Sequence, residues 1–149
     1  MSQLHHFYLN RINQEAILME NCIFCHHIEA TNILAESTYF FAVFDIDPIQ
    51  TGHILVISKK HYETMLDIPN EILLDLLQFE KQIIATLENN FDVLGATIAQ
   101  NNGAVMDDGT HFHAHLIPRY QDDAFWDNQT VESTPLDLEL LKEKLKNRL

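Results

Sequence analysis

The sequence predicts an α+β protein, on three observations. Four stretches, at 38–46, 52–58, 91–100 and 111–120, have either the β-branched and aromatic content or the two-residue alternation of strands. Between Pro69 and Asn90 the apolar residues fall at 72, 73, 76, 77, 83, 84 and 87, the stripe of an amphipathic helix. The length, 149 residues, suffices for one domain with a sizeable core and is short for two.

Residues 1–21 form a mixed leader in which Leu9, Ile12 and Ala16 stand at helical spacing with Ile17 beside them, which predicts a short helix. The His5–His6 pair has no companion motif and reads as exposed surface. Cys22-Ile23-Phe24-Cys25 contains both cysteines of the chain. In a reducing compartment that spacing suggests a metal clamp or a redox pair before a structural disulfide. A redox pair would open a helix after a strand, and no convincing strand precedes Asn21. A closed zinc site needs two further ligands. His26 and His27 rival them by position, but a residue adjacent to a ligand points elsewhere, so surface or pocket wall suits them better.

Thr38 to Ile46 reads as a strand, closed by Asp45-Ile46-Asp47-Pro48 because proline disfavours continued pairing. The next strand enters through Thr51–Gly52 and carries His53 at its start, where an isolated histidine is ordinarily structural. Asp67 ahead of Pro69 supplies a start signal for the long helix, and Asn89–Asn90 a stop. Its stripe serves a core or a subunit interface. Phe91 to Gln100 reads as a strand carrying Val93, Leu94, Ile98 and Ala99. After Tyr120, Asp122–Asp123 and Phe125–Trp126 form a loop, and at 136–148 leucines alternate with charges at helical spacing.

The chemistry centres on His111 to Tyr120. Alternation puts His111, His113 and His115 on one face of a strand and Phe112, Ala114 and Leu116 on the other. Three imidazoles in a row pack poorly, because each buried ring needs partners for two nitrogens. Two chemistries use such a row: a catalytic metal held by all three, or one nucleophilic histidine with neighbours that position the substrate.

Nine Lys plus Arg against 22 Asp plus Glu give a net charge of -13, which argues against a nucleic-acid partner. A phosphate ester would need a local reversal of sign, for which Lys59, Lys60, Arg119 and the histidines are candidates. The start lacks the pattern of a secretory signal and no apolar run approaches membrane-spanning length, so a cytoplasmic protein without a membrane partner is expected.

His-Phe-His-Ala-His-Leu-Ile followed by Pro118 and Arg119 resembles the signature of the histidine triad (HIT) superfamily, and with the cysteine pair it resembles zinc-containing, bacterial-type hydrolases of that group. The resemblance covers about 22–120. It implies a single HIT domain spanning 1–149, with the leader at 1–21 and a C-terminal extension at 121–149. The implied fold is an antiparallel sheet with one long helix and a shorter C-terminal one, forming a homodimer through the long helix and the strand after it. The family completes its cysteine pair with a histidine after the second core strand and the first triad histidine, which here are His61 and His111. Cys22, Cys25, His61 and His111 would then hold zinc. Two thiolates and a closed set of four leave no place for activated water, so this zinc would be structural.

The same resemblance makes the protein a nucleotide hydrolase or nucleotidyl transferase, acting on nucleoside phosphoramidates or dinucleoside polyphosphates. His113 is then the nucleophile that attacks the α-phosphorus to give a covalent nucleotidyl-histidine, and His115 hydrogen-bonds the phosphoryl group or leaving atom. Asn101 orients the phosphate, Asp45 accepts from the ribose hydroxyls, His53 supports the site, and Ile23, Phe24 and Val43 flank the base. One stretch departs from the family: Met106-Asp107-Asp108-Gly109-Thr110 replaces a Gly-Gln-Ser/Thr-Val run and is one residue shorter. Only Thr110 retains a hydroxyl there, and two carboxylates oppose an anion. A nucleotide-binding module without turnover and a metal hydrolase using the three histidines are the competing expectations.

Overall fold

The computed structural model describes residues 20–130 and 134–147. The leader helix expected around Leu9, Ile12, Ala16 and Ile17, and the His5–His6 pair, lie outside these residues. A short helix α1 (Ile23–His26) is followed by β1 (Ile33–Glu36), β2 (Phe40–Phe44), β3 (Ile54–Ser58), the long helix α2 (Asn70–Asn90), β4 (Gly95–Gln100), β5 (His113–Arg119) and α3 (Leu138–Lys146). The strands form one five-stranded sheet in the order β1-β2-β3-β5-β4, and every neighbouring pair is antiparallel. The α+β expectation is met.

Local differences have physical causes. Ile33–Glu36 was not anticipated as a strand; it has four residues, lies at a sheet edge, and its register slips between Ile33 and Ala35. The strand expected from Phe91 begins only at Gly95, because the Phe91 N–H still donates to Leu87 O at 3.1 Å and ends α2. Asp67 belongs to a short 3₁₀ turn, Met65–Asp67, and Pro69 occupies the N-cap of α2, its carbonyl accepting from Ile72 and Leu73 at 3.0 Å.

Period two divides the sheet into two faces. Phe40, Ala42, Ile54, Val56, Ala114 and Leu116 point to one side and pack with Leu76 and Phe79 of α2 in the larger core cluster. Full burial of each large side chain stabilises by roughly 1.5–3 kcal/mol relative to exposure. Phe41, Val43, Leu55 and Ile57 point to the other side, with Phe24, Ile28 and Ile33 against them. His113 and His115 stand on that second face, opposite Ile57 and Leu55 in register. Phe112, ahead of β5, is fully buried in the larger core, so the apolar and imidazole sides of the motif separate as alternation requires.

α2 also buries a charge-bearing group. Glu80 is 3 % exposed, its Oε1 lacks a hydrogen-bond partner among the described residues, and burial pushes its carboxyl up to about 7. At the far end, α3 is capped by Asp137, whose carboxylate accepts from Leu140 N–H at 2.9 Å, and every residue of that helix is exposed.

Candidate active site and metal centre

Two clusters of metal-ligating side chains flank His113. The first unites Cys22, Cys25, His61 and His111, whose ligand atoms all lie within 4.8 Å of one another. Cys22 Sγ is 3.2 Å from His111 Nδ1, and Cys25 Sγ is 3.4 Å from His61 Nδ1 and 3.5 Å from His111 Nδ1. With zinc–sulfur bonds of about 2.3 Å and zinc–nitrogen bonds of about 2.0–2.1 Å, a tetrahedron has sulfur–nitrogen edges of roughly 3.5 Å. The set fits that ion in type, number and size.

The surroundings prepare it. His111 Nε2–H donates to Ser58 O at 2.6 Å, which leaves the Nδ1 lone pair facing the thiols. Burial holds His111 at about 4 and lowers His61, so both rings are neutral and able to bind a cation. Burial, the hydrogen bond to Cys22 and its charge push the Cys25 thiol up to about 11. The Cys25 thiol keeps its proton until a cation replaces it. Ile23 N–H, donating to Gly109 O at 2.7 Å, ties α1 to the loop ahead of the triad. His26 and His27 are exposed and outside the set of four.

The second cluster is Asp45, His53 and His115. His53 Nε2 and His115 Nδ1 are 3.0 Å apart, and Asp45 Oδ2 is 3.3 Å from His53 Nδ1 and 4.0 Å from His115 Nδ1. Asp45 Oδ1 accepts from Asp47 N–H at 3.0 Å, an Asx turn that fixes the carboxylate at the end of β2. Burial lowers His53, against the pull of Asp45. Burial, then His113 and His53, lower His115, against Asp45 and Asp107. Sequence reasoning assigned His53 a supporting place without a partner; its contacts link the start of β3 to the triad, a pairing that periodicity does not reveal.

Between the clusters, His113 Nδ1–H donates to His111 O at 2.7 Å, which leaves Nε2 as the nitrogen with a free lone pair. Phe24 meets the His113 ring edge-on at 5.0 Å, and the His113 and His115 rings are 4.8 Å apart. The three triad imidazoles do not converge on one point. Both nitrogens of His111 are engaged away from the other two, toward the thiols and Ser58 O. This geometry disfavours one metal shared by all three.

The remaining candidates divide. Val43 is buried on the triad face, Phe24 lies beside it, and Ile23 is 47 % exposed at the rim. Asn101 follows β4 directly, one position beyond the Gln100–Ala114 pair and so level with His113 on β5. Thr110 is turned away from this role: its hydroxyl donates to Asp107 O at 2.7 Å. Asp107, Asp108 and Glu63 line a cavity of about 490 Å3 that also touches His61 and Thr110. Of the cations proposed to offset substrate charge, Arg119 is held by both Asp123 oxygens at 2.6 Å, and Lys59 donates to Ser37 O at 2.7 Å and pairs with Glu36 at 2.8 Å. Both are occupied: Asp123 comes from the loop that follows Arg119, and Glu36 and Ser37 from the end of β1. Phe125 packs on the Arg119 guanidinium at 4.3 Å and edge-on against Trp126 at 5.0 Å, as packing of the loop predicts.

No helix among the described residues is long and apolar enough to cross a membrane. Similar proteins include the adenosine 5'-monophosphoramidase HNT1 of Candida albicans, 35 % identical over 87 % of this chain and 91 % of that one. A crystal structure of a HIT family protein from Bacillus anthracis superposes with a TM-score of 0.66 at 27 % identity, covering 87 % of this chain and 95 % of that one. A zinc-bound histidine triad family protein from Mycobacterium smegmatis shares the fold with a TM-score of 0.62 at 24 % identity, over 88 % and 99 % of the two chains. The HIT domain model matches residues 27–122, about two thirds of the sequence and the whole of the sheet, and on that match the chain belongs to the HIT family.

Proposed function

We propose that the protein hydrolyses nucleoside phosphoramidates through a nucleotidyl-histidine on His113. The observation that carries this reading is the 2.7 Å bond from His113 Nδ1–H to His111 O, which presets the ring with its Nε2 lone pair unblocked. That nitrogen attacks the α-phosphorus and the phosphorus–nitrogen bond to the leaving amine breaks. His115, doubly protonated for this step, gives its Nε2 proton to the departing nitrogen and becomes neutral. Water then attacks the same phosphorus, the bond to His113 breaks, nucleoside monophosphate leaves, and the water's proton returns to His115. Dividing one displacement into two lowers each barrier, and a placed acid contributes typically 10²–10⁴-fold.

In this reading Asp45 accepts from the ribose hydroxyls, Asn101 orients the phosphate, and Ile23, Phe24 and Val43 flank the base. An amine is preferred to a second nucleotide as leaving group because Glu63, Asp107 and Asp108 line the cavity beside the triad loop, and carboxylates repel polyphosphate. The phosphoramidase name of the Candida albicans relative supports the same choice. Zinc on Cys22, Cys25, His61 and His111 would be structural. It would contribute by tying α1, the segment after β3 and the triad strand together, and the reaction takes no step through it. The chain is proposed to work in the cytoplasm as a homodimer through α2 and the edge strand β4, where Leu74, Leu77 and Ile98 are exposed.

The test is the intact mass of the protein, acid-unfolded and held at mild pH within seconds of mixing with a nucleoside phosphoramidate, for wild type and His113→Ala. An adduct of one nucleotidyl group on the wild type alone is expected. Substrate bound but unconsumed, with no adduct, would assign a binding module instead, and consumption that persists in His113→Ala would remove His113 from the mechanism.

A further inference from the structure

We propose that Asp45, His53 and His115 form a second, reversible binding site for a divalent first-row ion such as Zn2+, and that the ion switches the nucleotide site off. The three side chains come from the end of β2, the start of β3 and the middle of β5, and their ligand atoms lie within 4.8 Å of one another. Two imidazoles and a carboxylate are ligands that zinc, cobalt, nickel and copper accept, with affinity following the Irving–Williams order.

The spacing is that of ligands already gathered. For metal–nitrogen bonds of about 2.0–2.1 Å, neighbouring nitrogens stand roughly 2.9–3.4 Å apart. His53 Nε2 and His115 Nδ1 are separated by 3.0 Å. Asp45 Oδ2, 4.0 Å from His115 Nδ1, joins them with a movement of about an ångström. The proton inventory also permits it. The 3.0 Å contact is a hydrogen bond, and His53 Nδ1 faces both Ile49 N–H, which donates to it at 3.4 Å, and Asp45 Oδ2 at 3.3 Å; a cation takes the place of the shared proton when that proton moves to Nδ1 and bonds Asp45 in place of the Ile49 contact. Burial keeps both rings neutral and so available. His53 is 2 % exposed, whereas the Asp45 and His115 side chains are 14 % and 23 % exposed, so the ion would be gripped from below and open above, where a water or a phosphate oxygen completes its coordination.

Three ligands without a thiolate give weaker binding than the cysteine cluster, which fills first. The consequence for turnover rests on the functional reading above: an ion on Asp45 removes the acceptor for the ribose hydroxyls, and an ion on His115 Nδ1 fixes the ring that must pass a proton. Metal and nucleotide would exclude each other.

Protein loaded with one equivalent of zinc is dialysed to equilibrium against buffered micromolar Zn2+, and bound metal is counted for wild type, Asp45→Asn and His53→Gln. Wild type is expected to take up about one further equivalent, and both variants to lose most of it, with an affinity at least tenfold weaker. Asp45→Asn keeps the shape of the side chain, so it reports even if the buried His53→Gln folds poorly. No further uptake by wild type, or equal uptake by the variants through surface histidines, would overturn the site. Repeating the dialysis with adenosine 5'-monophosphate separates the two readings: displacement of the second equivalent supports mutual exclusion, and uptake that is lost in the variants yet indifferent to nucleotide would overturn the switch and the ribose assignment while leaving the metal site standing.

Discussion

The cysteine cluster and the carboxylate–imidazole cluster stand on either side of His113, and both use histidine, yet they are built to opposite ends. In the first, His111 is buried, its outer nitrogen bonded to the Ser58 carbonyl, and four ligands from separated parts of the chain close around one point. In the second, His115 is partly exposed, its neighbour is another imidazole, and three ligands leave one side open. The same ring is thus a fixed strut or, in the proposed reaction, a movable proton carrier, according to what occupies its second nitrogen and how many partners surround it. His113 lies between, held by a backbone carbonyl that restrains its tautomer without engaging Nε2, the nitrogen proposed to attack.

The contrast can be broken most forcefully at the closed cluster. Cys22→Ser, or exhaustive chelation of the zinc-loaded wild type, is expected to lower stability by several kcal/mol and the Tm by about 10 °C or more. Thermal unfolding followed by circular dichroism measures it. A loss of activity with the Tm unchanged would mean that the cluster is catalytic after all. At the open cluster the expected pattern is reversed. His53→Gln should lower kcat for a phosphoramidate by roughly 10–100-fold, since the imidazole that hydrogen-bonds and orients His115 is lost while the nucleophile stays. Its Tm should move by only a few degrees. If His53→Gln instead cost as much stability as Cys22→Ser, the division between strut and carrier would fail.

How much of this was legible before the fold depended on whether the signal was local. Alternation at 111–116 separates imidazoles from core, and the stripe at 72–87 becomes the helix that covers the larger core. Both are periodic, and period survives in a linear string. The edge strand Ile33–Glu36 is too short to show a period, and its pairing with β2 defines it. The contact of Asp45 with His53 arises where β2 pairs with β3, and that of His53 with His115, 62 positions away, because β3 pairs with β5 across an intervening helix and strand. Arg119 was among the cations that could reverse the sign for a phosphate ester, and Asp123, four residues on, claims it once the loop folds back. Thr110 likewise carries the expected hydroxyl, but a three-residue turn spends it on Asp107 O. Residue type was readable in each case; orientation was set by neighbours distant in sequence or by turns that composition does not encode.

Glu80, in the middle of α2 and away from both clusters, makes folding a proton-uptake reaction. Its carboxyl titrates near 7 in the folded chain against an ordinary value of 4.5, so between those values the folded state holds a proton that the unfolded state has released. Stability from this residue is therefore complete below pH 4.5, declines as the pH rises, and above 7 the helix carries a buried anion. Glu80→Gln should flatten that slope, with a smaller effect than either cluster variant: a Tm higher than wild type by a few degrees at pH 8 and nearly equal to it at pH 5. Equal Tm differences at the two pH values would show that the carboxyl finds a partner in solution. Glu80 thus tilts the stability of a chain with a net charge of -13 toward the acidic side of neutrality, and couples part of that stability to the proton supply of its surroundings.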